Sequence, residues 1–194
     1  MASLPPSQPA IVHVRRARLD DLRGMARVHV ETWKTTYRGM VPGDRLDSLT
    51  VESDIAGGFG SHLRQSPPGD AQFVAETAEG EVVGFAGGGP ARAPEPGYTG
   101  ELHSIYVLSS HQRRGIGSSL VGDVVRHLVQ TGRASMIVWV MEQSPYRRFY
   151  ERLGGTLHRR MDQPSRIAGR PVPVVSYVWA DIRPLARLRG TGAG

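Results

Sequence analysis

The chain has 194 residues, of which 39% are hydrophobic and 22% charged, and its formal net charge is +6. This composition is typical of a globular protein and excludes wholesale disorder and fibrous repeats. A chain of this length can bury about 70% of its unfolded surface, so one domain can fold without covalent cross-links. No apolar run reaches the roughly 20 residues that span a membrane, and the first residues do not form a secretory signal.

The sequence contains no cysteine, which excludes disulfides, thiolate metal ligands and cysteine nucleophiles. We therefore expect a cytoplasmic protein without a metal site. The positive charge is almost entirely arginine, since Lys34 is the only lysine. A basic balance favours acidic partners such as nucleic acid or a phosphorylated cofactor. The arginines are scattered, however, and the aromatic content of 7% offers few stacking platforms, so neither nucleic acid nor a membrane is expected as a partner.

Alternating strand and helix patterns occupy residues 11–183, between an expected flexible leader at residues 1–10 and an expected flexible tail at residues 184–194. Period-two alternation and short apolar runs predict strands at residues 11–15, 72–77, 81–87, 102–108, 136–141, 156–161 and 172–181. Apolar residues at helical spacing predict three main helices, at residues 20–33, 116–129 and 145–153. One or two short helices are expected between residues 43 and 64, and residues 65–70 and 90–100 are predicted loops.

The order of these elements predicts an α/β fold with a mixed sheet. The strand, helix and strand at residues 102–141 require a right-handed parallel crossover. The two strands on either side of Gly80 form an antiparallel hairpin, so the rest of the sheet is expected to be antiparallel. The last strand, at residues 172–181, could pair with a second copy of the chain, which leaves a homodimer open.

The hexapeptide QRRGIG, from Gln112 to Gly117, directly follows a predicted strand and opens a predicted helix. Its glycines permit close approach of a ligand to the backbone, and the helix start offers free N–H groups and a positive dipole end. Such a site suits a pyrophosphate, and Arg113 and Arg114 add charge for phosphate oxygens. The pattern is neither a Walker loop nor a Rossmann loop, because Leu120 stands where the latter needs glycine. A turn that needs glycine only for packing remains the alternative.

A second segment, SPYRRFYERLGG at residues 144–155, lies one strand downstream. Together with IYVL at residues 105–108 and QRRGIG, it resembles the GNAT superfamily of acetyl-CoA-dependent N-acetyltransferases. That family has a strand ending in Y-V, then Q/R-x-x-G-x-G/A, a helix, a strand and N-P-x-x-x-F-Y-E-x-L-G. The resemblance extends from Val14 to about Asp181 and is sharpest at residues 102–155. It implies one GNAT domain at residues 11–183, with a mostly antiparallel sheet of about six to seven strands and helices on both faces.

The resemblance also implies a site for acetyl-CoA. The backbone of Ile105, Tyr106 and Val107 would pair with the pantetheine arm like an added strand. Ser144 stands where the family usually has asparagine, and its shorter side chain reaches less far toward the pantetheine. The pyrophosphate would be held by the segment made of Gln112, Arg113, Arg114, Gly115, Ile116, Gly117 and Ser118.

The same resemblance suggests two catalytic residues. Tyr150 would donate a proton to the departing thiolate, since a phenol is neutral at pH 7; the alternative is an aromatic ring that only packs beside Phe149. Glu101 matches a position where many relatives carry a catalytic carboxylate, and the alternative there is a solvated strand end. His103 is expected on the same face of the strand as Glu101 and is a candidate substrate contact.

Trp33 and Tyr37 are the other candidate substrate contacts, because their region borders the acceptor cleft in similar proteins. Their four-residue spacing fits core packing equally well. The expected activity is transfer of an acetyl group to an amine by direct attack in a ternary complex. The acceptor stays open among a small amine, an amino acid, an antibiotic and a protein amine. A non-catalytic acyl-CoA sensor that retains the donor site is the alternative function.

Overall fold

The computed structural model describes residues 12–59, 67–163 and 169–189. The predicted leader at residues 1–10, residues 65–66 of a predicted loop and residues 190–194 of the predicted tail lie outside this part. The described residues form a sheet in the order β1-β2-β3-β4-β5-β7-β6. Its strands are β1 Val12–Arg16, β2 Ala71–Thr77, β3 Val82–Glu95, β4 Tyr98–Val107, β5 Met136–Met141, β6 Thr156–Gln163 and β7 Val172–Trp179. Strands β4 and β5 are parallel and the other neighbours antiparallel, which confirms the predicted mixed sheet.

The helices cover both faces of the sheet, as predicted. They are α1 Leu22–Thr36, α2 Gly43–Asp47, α3 Val51–Asp54, α4 Ile116–Gln130 and α5 Arg147–Arg152. Tyr106 of β4 points toward α1, where its ring centroid lies 4.9 Å from that of His29. The next side chain along the strand, Ile105, lies on the other face beside the start of α4. None of the helices in the described ranges is long and apolar enough to cross a membrane.

The main core lies between α4 and the sheet. Leu120, Val124 and Leu128 repeat at helical spacing along α4, and all three are fully buried, together with Val74 and Phe85 from the sheet. Burial of each such side chain stabilises the fold by about 1.5–3 kcal/mol. The apolar stripe that predicted this helix is therefore the stripe that anchors it.

Residues 90–100, predicted as a loop, instead prolong β3 and β4 into a two-stranded arm that turns at residues 96–97. The pairing is irregular between Pro90 and Glu95, as expected where proline cannot donate to the ladder. The arm reaches β6, where Glu95 accepts from Arg159 at 2.8 Å and from His158 at 3.0 Å. These long-range contacts order a segment whose proline and glycine content predicted a loop.

The C-terminal part of the chain corrects two expectations. Residues 184–189 are not a loose tail, because a 3₁₀ turn at Arg183–Arg187 packs against α4. Arg126 of α4 donates to the carbonyl of Ala186 at 2.6 Å, and Ile182 is fully buried. Strand β7 lies between β5 and β6, so it cannot pair with a second chain as predicted; the edges of the sheet are β1 and β6.

Substitution of Gly88 by alanine tests the close packing of β3 against α4. An alanine Cβ would lie 2.5 Å from the Val124 Cγ1 atom and 2.8 Å from the backbone oxygen of Glu101. We expect the free energy of unfolding in urea to fall by about 1–3 kcal/mol. The control is Gly57→Ala, whose Cβ would have no atom within 4 Å and should change stability by less than about 0.5 kcal/mol. Equal stability of the two variants would contradict this packing.

Candidate active site

The centre of the site is the point where β4 and β5 separate. The two strands pair only from Gly100 to Leu102. On its other side β4 has a bulge, because Leu102 and Ser104 face consecutive residues of β3 and His103 is the extra residue between them. A bulge bends its strand and increases the local twist, so β4 continues along β3 and leaves β5. Beyond Leu102 no described strand pairs with this edge of β4.

The separated strands border a cleft of about 240 Å³. Helix α1 and strands β4, β5 and β7 form its walls, and α5 contributes one aromatic ring. The walls therefore combine the polar backbone groups of an unpaired strand edge with side chains that are mainly apolar or aromatic. The lining residues are Trp33, Tyr37, Leu102, His103, Ser104, Ile105, Tyr106, Val138, Trp139, Val140, Met141, Tyr150, Val172 and Val174.

The QRRGIG segment forms a tight turn between β4 and α4. Arg113 and Gly115 both have left-handed backbone angles, with φ of 61° and 77°. The first backbone hydrogen bond within α4 runs from the Ser119 amide to the Gly115 carbonyl at 3.0 Å. The amides of Ile116, Gly117 and Ser118 come before this bond. Like the first amides of any helix, they have no partner within the helix. Both Arg113 and Arg114 have exposed side chains at this turn.

Close packing explains the second glycine of the turn. A Cβ on Gly117 would lie 3.3 Å from the Phe149 ring of α5 and 3.9 Å from the Ile105 side chain of β4. The glycine thus keeps open the space between the helix start, the strand edge and α5. Positive helix ends and free amides bind anions, so these residues fit a pyrophosphate.

The side chains of Gln112 and Ser144 have protein partners. The Gln112 amide donates to the carbonyl of Val107 at 3.0 Å and to the hydroxyl of Tyr146 at 3.2 Å, and so connects the end of β4 with the turn before α5. The Ser144 hydroxyl accepts from the Tyr146 amide at 3.3 Å. Since α5 begins at Arg147, Ser144 stabilises the preceding turn and does not cap the helix.

Tyr150 lies on the α5 side of the cleft and is 7% exposed. Its ring contacts Phe149 at a centroid distance of 5.4 Å and stacks on Tyr177 at 5.8 Å. Burial raises the pKa of the Tyr150 phenol well above its ordinary value, so the hydroxyl keeps its proton. Among the described residues the hydroxyl has no hydrogen-bond partner, although it lines the cleft.

Glu101 and His103 both approach Asp70, at the start of β2. The Glu101 carboxylate is buried and accepts from the backbone amide of Arg92 at 2.8 Å. Burial raises the pKa of Glu101, and the charge of Asp70 raises it further. The imidazole of His103 is 1% exposed, bonds to the Pro90 carbonyl at 3.1 Å and lies 3.6 Å from Asp70. The His103 ring is thus almost completely enclosed and packs as part of the bulge, and its contact with a substrate stays a prediction.

Trp33 and Tyr37 pack in the core, as one of their predicted alternatives requires, and also line the cleft, while their contact with a substrate stays a prediction. Their rings lie 4.5 Å apart and line the cleft opposite the β strands. Trp33 also donates from Nε1 to the Tyr106 hydroxyl at 3.2 Å, and both rings pack in a second apolar cluster around Leu46 and Val174. The cleft wall on this side is therefore held rigidly by core packing.

Two parts of the site have no clear signal in the sequence. The first is the bulge at His103, whose consequence is the separation of the strands. The second is the wall from β5, where Trp139 lines the cleft. The Arg159 guanidinium lies over the Trp139 ring, 5.2 Å from its centroid. The run MIVWVM predicted a strand covered on both faces, which gives no hint of this opening. The described residues contain no group of three or more His, Asp or Glu that could hold a metal.

The diverging parallel strands, the glycine-containing turn at residues 112–117 (called the anion turn below) and the buried Tyr150 match the resemblance to GNAT acetyltransferases that the sequence suggests. Residues 44–155 match the Acetyltransferase (GNAT) family. The chain is also 37% identical over 178 residues to an uncharacterized N-acetyltransferase of Bacillus subtilis, covering 92% of this chain and 98% of the relative. The chain therefore belongs to the GNAT family and is an N-acetyltransferase.

Solved structures confirm the fold. The PaiA N-acetyltransferase of Thermoplasma acidophilum, in complex with coenzyme A, superposes with a TM-score of 0.67 at 19% identity, covering 87% of this chain and 99% of that one. The yncA protein of Salmonella typhimurium, with its cofactor acetyl-CoA, gives a TM-score of 0.62 at 20% identity, covering 87% and 92%. The predicted GNAT architecture is thus correct.

Substitution of Gly117 by tryptophan tests the anion turn. The added ring would fill the space between α4, Phe149 and Ile105, so we expect calorimetry to show at least about a tenfold weaker binding of coenzyme A. Gly57→Trp is the control for bulk, because its Cβ would meet no atom within 4 Å. Wild-type affinity in Gly117→Trp would place the anion site elsewhere.

Proposed function

We propose that this N-acetyltransferase uses acetyl-CoA as the donor and transfers the acetyl group directly to an amine in a ternary complex. The supporting observation is a single cleft that the predicted donor residues and acceptor residues share. Ile105 and Tyr150 line it beside the strand edge, and Trp33 and Tyr37 line it opposite. A direct transfer requires both substrates to lie next to each other, and a chain without cysteine has no route through an acetyl-cysteine.

In the proposed complex the pantetheine arm extends β4 on its unpaired side. Backbone groups of Ile105, Tyr106 and Val107 are the proposed partners, since β5 has left this edge. The amides at the start of α4 face the pyrophosphate, and Arg113 and Arg114 supply positive charge around it. Acetyl-CoA brings the activated acetyl group as a thioester, and the chain supplies the binding surface and the proton transfers.

The reaction forms a C–N bond and breaks the thioester C–S bond, so one proton must leave the amine and one must reach the sulfur. Tyr150 is the proposed acid, because its buried phenol keeps its proton and gives it to the departing thiolate. Glu101 is the proposed base and accepts the amine proton through water, because it lies next to the cleft lining and not in it. Its raised pKa makes this carboxylate a stronger base than an exposed one.

The size of the cleft favours a small acceptor. Its volume of about 240 Å³ is below the roughly 300–1,000 Å³ typical of sites for drug-sized ligands. Aromatic rings from α1 and β5 cover a large part of the wall, and such rings attract both apolar groups and amines in their cationic form. We propose a small primary amine, without assigning one compound.

Two measurements test the proposal. Acetyl-CoA is titrated into the protein by calorimetry beside desulfo-CoA and ATP, and we expect micromolar binding of acetyl-CoA and weak binding of ATP. Coenzyme A release is then followed with a thiol reagent over a panel of primary amines; the chain has no cysteine, so the protein gives no background. Binding without release on any amine would favour the non-catalytic sensor. An absence of binding would contradict the donor site itself.

Replacement of Tyr150 by phenylalanine tests the proposed acid. The ring and its stacking stay, but no proton is available for the thiolate, so kcat should fall by about 10²-fold or more. The dissociation constant of acetyl-CoA should stay within about twofold, because the hydroxyl makes no other hydrogen bond in the described chain. Tyr98→Phe, in the arm, is the control and should keep the wild-type kcat. A wild-type rate in Tyr150→Phe would remove Tyr150 from the reaction.

The pH dependence of kcat/KM tests the proposed base. Glu101 can accept a proton only above its pKa, so activity should rise with pH through that value. Burial raises this pKa, which places the rise at higher pH than for an exposed carboxylate. Glu101→Gln should lower kcat/KM by about 10²-fold and remove the rise, whereas Glu52→Gln, an exposed carboxylate, should leave the profile unchanged. A profile that keeps the same rise in Glu101→Gln would assign it to another group.

A further inference from the structure

Tyr177 of β7 lies beneath the proposed catalytic tyrosine. It is 1% exposed, and its ring stacks on Tyr150 at 5.8 Å with 27° between the planes. Its hydroxyl donates to the Glu151 carboxylate at 2.7 Å and accepts from the Arg147 Nε at 3.1 Å. One buried phenol therefore touches the reactive ring and also binds two side chains of the helix that carries it.

The two partners of the hydroxyl lie on both sides of Tyr150 along α5. Helix α5 has six residues, Arg147–Arg152, and a helix this short is not stable by itself. Arg147 also donates to the carbonyl of Glu142, in the turn after β5, at 3.1 Å. The Tyr177 hydroxyl thus attaches α5 to the sheet within one turn of Tyr150.

Packing alone sets the direction of the Tyr150 side chain within the core. Its own hydroxyl has no hydrogen-bond partner in the described part of the chain, so the phenol is oriented only by packing and by the placement of α5. Reactive groups are held within a fraction of an ångström of their working position by the residues behind them, which are themselves fixed by packing and hydrogen bonds. We propose that Tyr177 is a positioning residue that holds Tyr150 at the angle needed to protonate the departing thiolate.

This inference rests on the proposed role of Tyr150 and is tested by a double-mutant cycle. Tyr177→Phe keeps the ring and the stack and removes only the hydroxyl; the fold should survive, because the Glu151 side chain can turn to water. With the amine that gives the fastest coenzyme A release, kcat should fall about tenfold, while the dissociation constant of acetyl-CoA should change less than about twofold. In the Tyr150→Phe background, Tyr177→Phe should cause no further loss, since the group to be positioned is gone.

Trp179→Phe is the matched control for a purely structural effect. It removes the hydrogen bond from Trp179 Nε1 to the Leu153 carbonyl at 2.9 Å, which attaches the far end of the same helix. Its effect on kcat should be the same factor with Tyr150 present or absent. If Tyr177→Phe lowers kcat by the same factor with Tyr150 present or absent, or leaves kcat unchanged, the positioning role is wrong. If Tyr150→Phe does not slow coenzyme A release, the proposed role of Tyr150 as the acid is wrong. This result differs from a wrong positioning role of Tyr177, in which Tyr150→Phe still slows release.

Discussion

The separation of β4 from β5 is the constraint on which the site depends. The strands share a short parallel ladder that ends at Leu102, and the bulge at His103 then directs β4 away from β5. The anion turn follows the end of β4, and α5 follows the end of β5, so the angle between the strands sets the distance between these two elements. The buried ring of His103, attached to β3 by the Pro90 carbonyl, stabilises the bent backbone that makes this opening.

Burial has the same effect on the pKa of both proposed catalytic groups, Tyr150 and Glu101. It raises the pKa of the Tyr150 phenol and thereby keeps a proton available beside the cleft. It also raises the pKa of the Glu101 carboxylate and makes it a better proton acceptor. A charged form is disfavoured in each case, because a neutral group loses less hydration in a low-dielectric environment. The same desolvation therefore keeps both groups in their neutral, protonated forms up to a higher pH than in exposed groups.

Prediction succeeded where local pattern and tertiary packing agree. The apolar stripe predicted α4 and the run MIVWVM predicted β5, because in each case a few neighbouring residues determine the local structure. It failed where distant contacts override local signals. Prolines suggested a loop at residues 90–100, yet Glu95 and its partners on β6 extend the hairpin; residues 184–189 looked like a tail, yet Arg126 of α4 binds their carbonyls.

By itself the sequence determined the fold class, the family and the position of the glycine-containing turn between β4 and α4, because periodicities and motifs are local in the chain. The tertiary structure decided which side chains lie next to one another around the site. Nothing in the spacing of Glu101, Asp70 and His103 shows that they converge, nor does it show that Tyr177 supports Tyr150 from a strand that lies 27 positions later. Such pairings depend on strand order and on a bulge of one residue, and these follow only from the packing of the whole chain.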